Sequence, residues 1–235
     1  MDNSLSRHAA FVETIPTVFG YLGIAAAFGI IGRASGFSIL TVCLMSIIIY
    51  AGSAQFTTVS MLAAGSPILS IILATFLINS RMILMSTTLA PYFKKDSVGK
   101  GIAIGTLLTD ESFALGVNKL NYTGDRLTFT WQNTTNTISY LTWVIATAIG
   151  AFLGGLITNP QRLGLDFAIV AMFIGLLYLQ IISDKKMKQA LQVTVVLITM
   201  ALTYLCMIIL PEQLVILVVT ILGCILGMVV KHVFF

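Results

Sequence analysis

Eight apolar runs follow one another along the 235 residues, at 15–32, 38–64, 67–90, 98–118, 133–158, 165–183, 189–210 and 212–231. Each is about as long as the ~20 helical residues that cross a hydrocarbon core of roughly 30 Å. A chain of this pattern can satisfy its backbone polar groups in lipid only by coiling them into helices. Only short polar punctuation separates the runs, so no soluble appendage or long linker is expected. The predicted architecture is therefore all-α: a single polytopic transmembrane helix bundle of seven or eight segments, spanning 1–235 as one domain.

Composition excludes several functions. Charged residues make up 9% of the chain and the mean hydropathy is +0.99, whereas a soluble domain is about one-quarter charged. The formal charge of +4 comes from short basic clusters between apolar runs, which report orientation in the membrane and not nucleic-acid binding. Cys43, Cys206 and Cys224 share no metal or disulfide spacing, and His8 and His232 lie near the chain ends. Without an interior histidine, a paired-cysteine motif or a GxSxG elbow, a membrane enzyme is not expected, and neither is a cofactor. The first run shows no short h-region with a cleavage site and reads as an uncleaved span.

Charge counting bears on topology. If all eight runs crossed fully, with the N-terminus inside, seven basic residues would lie inside and five outside. If runs 38–64 and 98–118 enter and leave on one side, Arg7, Lys94, Lys95, Lys100, Lys119, Arg126, Lys185, Lys186, Lys188 and Lys231 fall inside. Arg33 and Arg162 then remain outside, a division much closer to the positive-inside rule. Both runs carry an interruption at mid-length: Ala51-Gly52-Ser53 in the first and Thr109-Asp110-Glu111-Ser112 in the second.

Ionised side chains at membrane depth cost about 2.5–3.5 kcal/mol on insertion scales, so each needs a partner, a cavity or a task. Arg81, Asp110 and Glu111 are such groups, and together they carry one net negative charge, as a proton-coupled site requires. On an unbroken helix Asp110 shares a narrow stripe with Ala103, Thr106, Ala114 and Val117, which favours it over Glu111 as the functional acid. A buried ion pair that fixes helix register is the structural alternative. Gly52, Ser53, Gln55 and Phe56 lie where small residues can break a helix and expose N–H groups to a substrate carboxylate, or can serve close packing. Asn79 and Arg81 are two residues apart and point about 200° away from one another on a regular helix. Asn133, Asn136 and Tyr140 form a stripe leading to Trp143, expected as an interfacial cap with an aromatic belt. Glycine pairs at 32/36, 101/105, 150/154 and 223/227 are expected at close helix crossings, within the chain or with a partner.

Four strings in this order resemble a known family. They are AAAFGIIGRASGFS at 25–38, AGSAQF at 51–56, INSR at 78–81 and TDESFAL at 109–115, with YLTW at 140–143 also similar. Together they are similar to the AzlC/YgaZ family, the large subunit of branched-chain amino acid exporters. The resemblance implies a multi-pass protein of the bacterial cell membrane that exports leucine, isoleucine, valine and some analogues, methionine among the candidates. It also implies a small hydrophobic AzlD/YgaH-type subunit as partner. Gly52, Gln55, Asn79, Arg81, Asp110 and Glu111 fall in the family's shared motifs. Met82 stands where members often carry histidine, which leaves proton coupling to the carboxylates. The expected substrate site comprises Gly52, Ser53, Gln55, Phe56, Asn79 and Arg81, with Asp110 and Glu111 for proton coupling. Phe28, Phe56 and Phe113 are expected to line an apolar side-chain pocket. A channel, or a scaffolding subunit without coupled transport of its own, is the alternative reading.

Overall fold

The computed structural model describes residues 1, 3–156 and 187–234, together with 167, 170, 174–175, 177–178 and 181–182. Most of the sixth apolar run, with Arg162, Lys185 and Lys186, lies outside the described residues. Nine α-helices and no strand are defined among the described residues. They are α1 (Arg7–Ala34), α2 (Ile39–Ile48), α3 (Gly52–Ala63), α4 (Ile68–Leu89), α5 (Val98–Thr106), α6 (Asp110–Thr123), α7 (Phe129–Gly154), α8 (Gln189–Ile209) and α9 (Glu212–Phe234). A 3-10 turn, Ala90–Phe93, extends α4. Among the described residues four helices are long and apolar enough to cross a membrane: α1, α4 with its 3-10 extension, α7 and α8.

Runs 38–64 and 98–118 are both broken, at the two interruptions read from the sequence. Three apolar layers show how the halves run. At one end, Ala9 and Ala10 of α1 pack with Leu89 and Phe93 of the α4 region, Ile104 of α5, Leu120 of α6, and Leu127 and Trp131 at the start of α7. In the middle layer, Tyr21 and Ala25 meet Tyr50, Trp143 and Ala146, with Leu107 against them. At the other end, Phe28, Val42, Val59 and Ala151 pack together with Phe37 beside them. Hence α2 descends from the Arg33 end to mid-depth and α3 returns, whereas α5 and α6 do the same from the lysine-rich end. Arg7, Lys94, Lys95, Lys100, Lys119 and Arg126 belong to one end of the bundle, as the charge division requires. Lys100 reaches the Phe129 ring there, 5.2 Å from its centroid.

The chain thus repeats one pattern with reversed polarity. A spanning helix, α1, is followed by a re-entrant hairpin from its far end; α4 then runs back and is followed by a hairpin from the opposite end. Such an arrangement brings two half-helix N-termini together near mid-depth.

Local sequence signals set the helix ends. Ser6, Ser38 and Thr128 cap α1, α2 and α7 by accepting from the N–H groups of Ala9, Thr41 and Trp131. At α6, Thr109 and Ser112 form a reciprocal capping box, and Gly124 ends the helix in the left-handed conformation, φ 62°.

Helices α1 and α7 pack along one another at glycine contacts. A Cβ at Gly150 would overlap the Ala26 backbone, and one at Gly29 would overlap the backbone at Thr147 and Ala151. Gly154 lies against Ile30 and Arg33, and Gly32 against Val42. Gly223 and Gly227 face Thr199 and Val195 of α8. Gly36 instead occupies a turn with φ +90°, and nothing lies within 4 Å of a Cβ at Gly101 or Gly105. The expected crossings at 36, 101 and 105 are therefore not formed among the described residues. Exposed apolar side chains such as Leu69, Ile72 and Phe76 of α4, and Leu197, Met200 and Tyr204 of α8, form a surface suited to lipid.

Candidate functional site

Two helix breaks and the spanning helices α1, α4 and α7 define the site. The first helix break runs through Ile49, Tyr50 and Ala51. Tyr50 has φ 41°, a left-handed conformation that costs a bulky residue roughly 1–3 kcal/mol and concentrates at functional positions. It lets the chain reverse and start α3 at Gly52 with an extended Ala51 as cap residue, φ −146°. No side chain caps α3, and its first helical hydrogen bond runs from Gln55 N–H to Ala51 O. The N–H groups of Gly52, Ser53 and Ala54 are thus left without a helical acceptor.

The second break, Leu107 to Thr109, starts α6 in a different way. Its first turn carries Asp110 and Glu111, so negative charge already sits at the positive end of its dipole. The two opposed N-termini are therefore chemically unlike: one is uncapped and neutral, the other is capped and acidic.

Arg81, midway along α4, joins them. Its guanidinium pairs with Asp110 at 2.9 Å and donates to Ser53 Oγ at 2.8 Å. Glu111 takes a different partner: the Tyr21 hydroxyl of α1 lies 2.5 Å from its Oε2 and 2.8 Å from Thr109 Oγ1. The Tyr50 hydroxyl is buried beside Tyr21 and Thr109 without a well-formed hydrogen bond to either. These groups enclose a cavity lined by Tyr21, Tyr50, Ala51, Gly52, Ser53, Arg81, Met82, Thr109, Asp110, Glu111 and Trp143. Its volume is about 20 Å³, room for about one water molecule. No group of three or more His, Cys, Asp or Glu suited to a metal occurs among the described residues.

Of the residues expected from sequence, Gly52, Ser53, Arg81, Asp110 and Glu111 meet at this cavity. Gln55 is turned away from it: it accepts from Trp143 Nε1 at 3.0 Å and donates to Ser46 at 2.8 Å. Ser46 continues the chain to Thr147 of α7 at 2.9 Å. Phe56 packs edge-on against Phe28, 5.3 Å between centroids, in the layer at the Arg33 end. Phe113 packs with the lysine-rich end. Asn79 does not line the cavity, in keeping with its 200° separation from Arg81. The aliphatic part of the lining comes instead from Met82 and Ala51, with Tyr21, Tyr50 and Trp143 as its aromatic walls.

The stripe on α7 corrects an expectation. Trp143 is 3% exposed and Asn136 is fully buried, so neither forms an interfacial belt. The breaks leave the last carbonyls of α2 and α5 without helical donors, and α7 supplies them. Tyr140 OH donates to Ile47 O at 3.1 Å, and Asn136 Nδ2 to Ile104 O at 3.0 Å. Gln132 Nε2 adds bonds to Ser112 O and Asn136 Oδ1. In lipid an unsatisfied carbonyl costs several kcal/mol, so this ladder holds both broken helices open. The register argument that preferred Asp110 assumed a continuous helix across 103–117; the break at 107–109 removes it.

Gly52 offers a direct check on the cavity. A Cβ there would come 2.8 Å from the far edge of the Trp143 ring, which must then swing or tilt. Gly52→Ala is expected to shift the Trp143 fluorescence and leave insertion unchanged.

The family model for AzlC proteins matches residues 16–157, the stretch that contains both hairpins and every cavity residue. The chain is 33% identical to the inner membrane protein YgaZ of Escherichia coli, covering 79% of this chain and 76% of that one. It is 29% identical to the branched-chain amino acid transport protein AzlC of Bacillus subtilis, over 78% of this chain and 71% of that protein. An uncharacterized membrane protein of Archaeoglobus fulgidus is 32% identical over 74% of this chain and 78% of its own length. No solved structure matches the chain. With the two broken hairpins inside the matched region and well over half the chain covered, this multi-pass membrane protein belongs to the AzlC family.

Proposed function

We propose that this protein is a secondary active exporter of branched-chain amino acids, working by proton antiport together with a small AzlD/YgaH-type membrane subunit. Membership of the AzlC family gives it a role in membrane transport. The single observation that carries the finer reading is the contrast between the two facing half-helix N-termini. The uncapped α3 terminus, with Ser53 and Arg81 beside it, suits a carboxylate. The acidic first turn of α6 suits an ammonium group. A zwitterionic α-amino acid fits between them, its carboxylate toward Gly52–Ala54 and Arg81 and its ammonium toward Asp110. Its aliphatic side chain would lie among Met82, Ala51 and the three aromatic walls. The name of the Bacillus subtilis relative supports branched-chain amino acids as the substrate class.

A cavity of about 20 Å³ is far below the roughly 300 Å³ and upward of ordinary ligand pockets. Loading therefore requires the hairpin tips to part, with substrate displacing the Arg81–Asp110 and Arg81–Ser53 contacts. The positive-inside rule assigns the lysine-rich end to the cytoplasm, so the α5–α6 hairpin enters from the loading side. Proton binding at the carboxylates from outside favours release of the ammonium group and resets the site.

Efflux from preloaded cells, with and without the small subunit, tests this reading. Export of leucine, isoleucine, valine and methionine is expected, with leucine and valine differing by no more than roughly 10- to 200-fold, because one methylene is worth only ~1–3 kcal/mol in such a pocket. Strong rejection of valine relative to leucine counts against the pocket. Flux that fails to saturate with substrate points to the channel reading instead.

A further inference from the structure

The two adjacent acids at the head of α6 sit in unlike surroundings. Asp110 is held by Arg81 at 2.9 Å, so its charge is matched by a fixed cation. Glu111 forms no ion pair among the described residues and is bonded through the Tyr21 hydroxyl at 2.5 Å. Among the described residues, the groups that share its cavity come from four elements besides its own. From α1 comes Tyr21, and from the α2–α3 break the Tyr50 hydroxyl. From α4 comes Arg81, committed to Asp110 and Ser53. The facing part of α7 contributes Trp143 and, behind Tyr50, the Tyr140 ring at 4.8 Å, neither a cation.

The Tyr21 phenol has one hydrogen and two oxygens within reach, Glu111 Oε2 and Thr109 Oγ1. With Glu111 ionised, Tyr21 donates to the carboxylate and accepts from the Thr109 hydroxyl. With Glu111 protonated, the carboxylic acid becomes the donor to Tyr21, and the phenol hydrogen turns to Thr109 Oγ1. The Thr109 hydrogen then turns away, with Ser112 Oγ 3.4 Å distant. Thr109 is also the cap that accepts from Ser112 N–H. The protonation state is therefore written into the direction of a chain running from α1 to the start of α6.

We propose that Glu111, and not Asp110, is the acid that takes up and releases the transported proton, with Tyr21 as its positioning residue. The assignment rests on the antiport reading above and divides the work of the carboxylate pair. One proton from water adds to a Glu111 carboxylate oxygen, and the same proton later leaves to water. No other bond forms or breaks, and the Asp110–Arg81 pair keeps its charge throughout. Asp110 is then left free to exchange its cation, Arg81 for the substrate ammonium.

Infrared difference spectra of the purified full chain in lipid vesicles, taken through a pH titration, read the protonated carboxyl directly and without substrate. Among the C=O bands of the chain's nine Asp and Glu residues, one band is expected to titrate in the wild type and in Asp110→Asn and to be missing from Glu111→Gln. Tyr21→Phe should keep the band but move its frequency and its titration midpoint, an effect that a merely packing role would not produce. The same Glu111→Gln protein should show leucine efflux that no longer responds to an imposed pH gradient. Persistence of the band in Glu111→Gln, or an unmoved band in Tyr21→Phe, overturns the assignment. A wild type that carries the band yet exports no aliphatic amino acid overturns the export reading instead, so the two failures are separable.

Discussion

Gly150→Leu is expected to prevent assembly of the bundle, with little or no monodisperse protein recovered after extraction. The Cβ alone would overlap the backbone of Ala26, and a backbone has no rotamer through which to yield. The reciprocal contact of Gly29 with the backbone at Thr147 and Ala151 lies on the same seam, so the helices cannot pivot about one glycine to relieve the other. Overpacking a core usually costs about 1–3 kcal/mol where side chains can adjust; here the loss should exceed ~3 kcal/mol. The layers at mid-depth and at the Arg33 end depend on this seam. Gly23→Leu, on the same α1 with nothing within 4 Å, should change stability by no more than ~0.5 kcal/mol. Thermal unfolding monitored by size-exclusion chromatography distinguishes the two; equal behaviour would mean that α1 and α7 do not make this contact.

Arg81→Gln should lower amino acid efflux by roughly 10- to 100-fold while leaving the amount of inserted protein nearly unchanged. A hydrogen bond to a charged group is worth about 1.5–3 kcal/mol, and each ~1.4 kcal/mol is a factor of ten. The substitution removes the pair with Asp110 and the bond to Ser53 and, in the proposed binding mode, the cation for an incoming carboxylate. Stability suffers less, since the Asp110 left behind still sits in the first turn of α6, where the helix dipole favours its charge. Arg81→Lys should restore only a small part of the activity. A single ammonium is a point charge, whereas the guanidinium fork spans Asp110 and Ser53 together. Transport of unchanged rate in Arg81→Gln would remove this residue from the substrate path.

Both helix breaks could be read from sequence because they place small or acidic residues in the middle of runs otherwise made of Ile, Leu, Val and Phe. The same-side entry of the hairpins was legible from Lys94, Lys95 and Lys100 set against Lys119 and Arg126. Five site residues follow from those two breaks and from Arg81, since an ionisable group in an apolar run has few other places to go. The choice of neighbours did not follow. Gln55 and Phe56 share the AGSAQF string with Gly52 and Ser53, yet the helical turn that begins at Gly52 carries them toward Ser46, Trp143 and Phe28. Tyr21, Tyr50 and Trp143 lie in apolar runs, where an aromatic residue reads as packing or as an interfacial anchor. Their role depends on contacts such as Tyr21–Glu111, 90 positions apart, for which local periodicity carries no signal. Lys119 keeps its place at the lysine-rich end, but charge counting gives no sign that it is fully buried, 2.7 Å from Glu13 and 5.5 Å from the centre of the Trp131 ring, where it ties α6 to α1.

The donors on α7 also impose an order on biosynthesis. Ile47 O finds its partner in Tyr140, a residue translated 93 positions later. At about 5–20 residues per second, that interval lasts roughly 5 to 20 s. For most of it the first hairpin, complete at Ala63, is already made, but its carbonyl end lacks the donor that α7 supplies. A nascent chain halted before residue 129 must therefore park this segment at the insertase or the headgroup region, and only the emergence of α7 lets it settle at mid-depth.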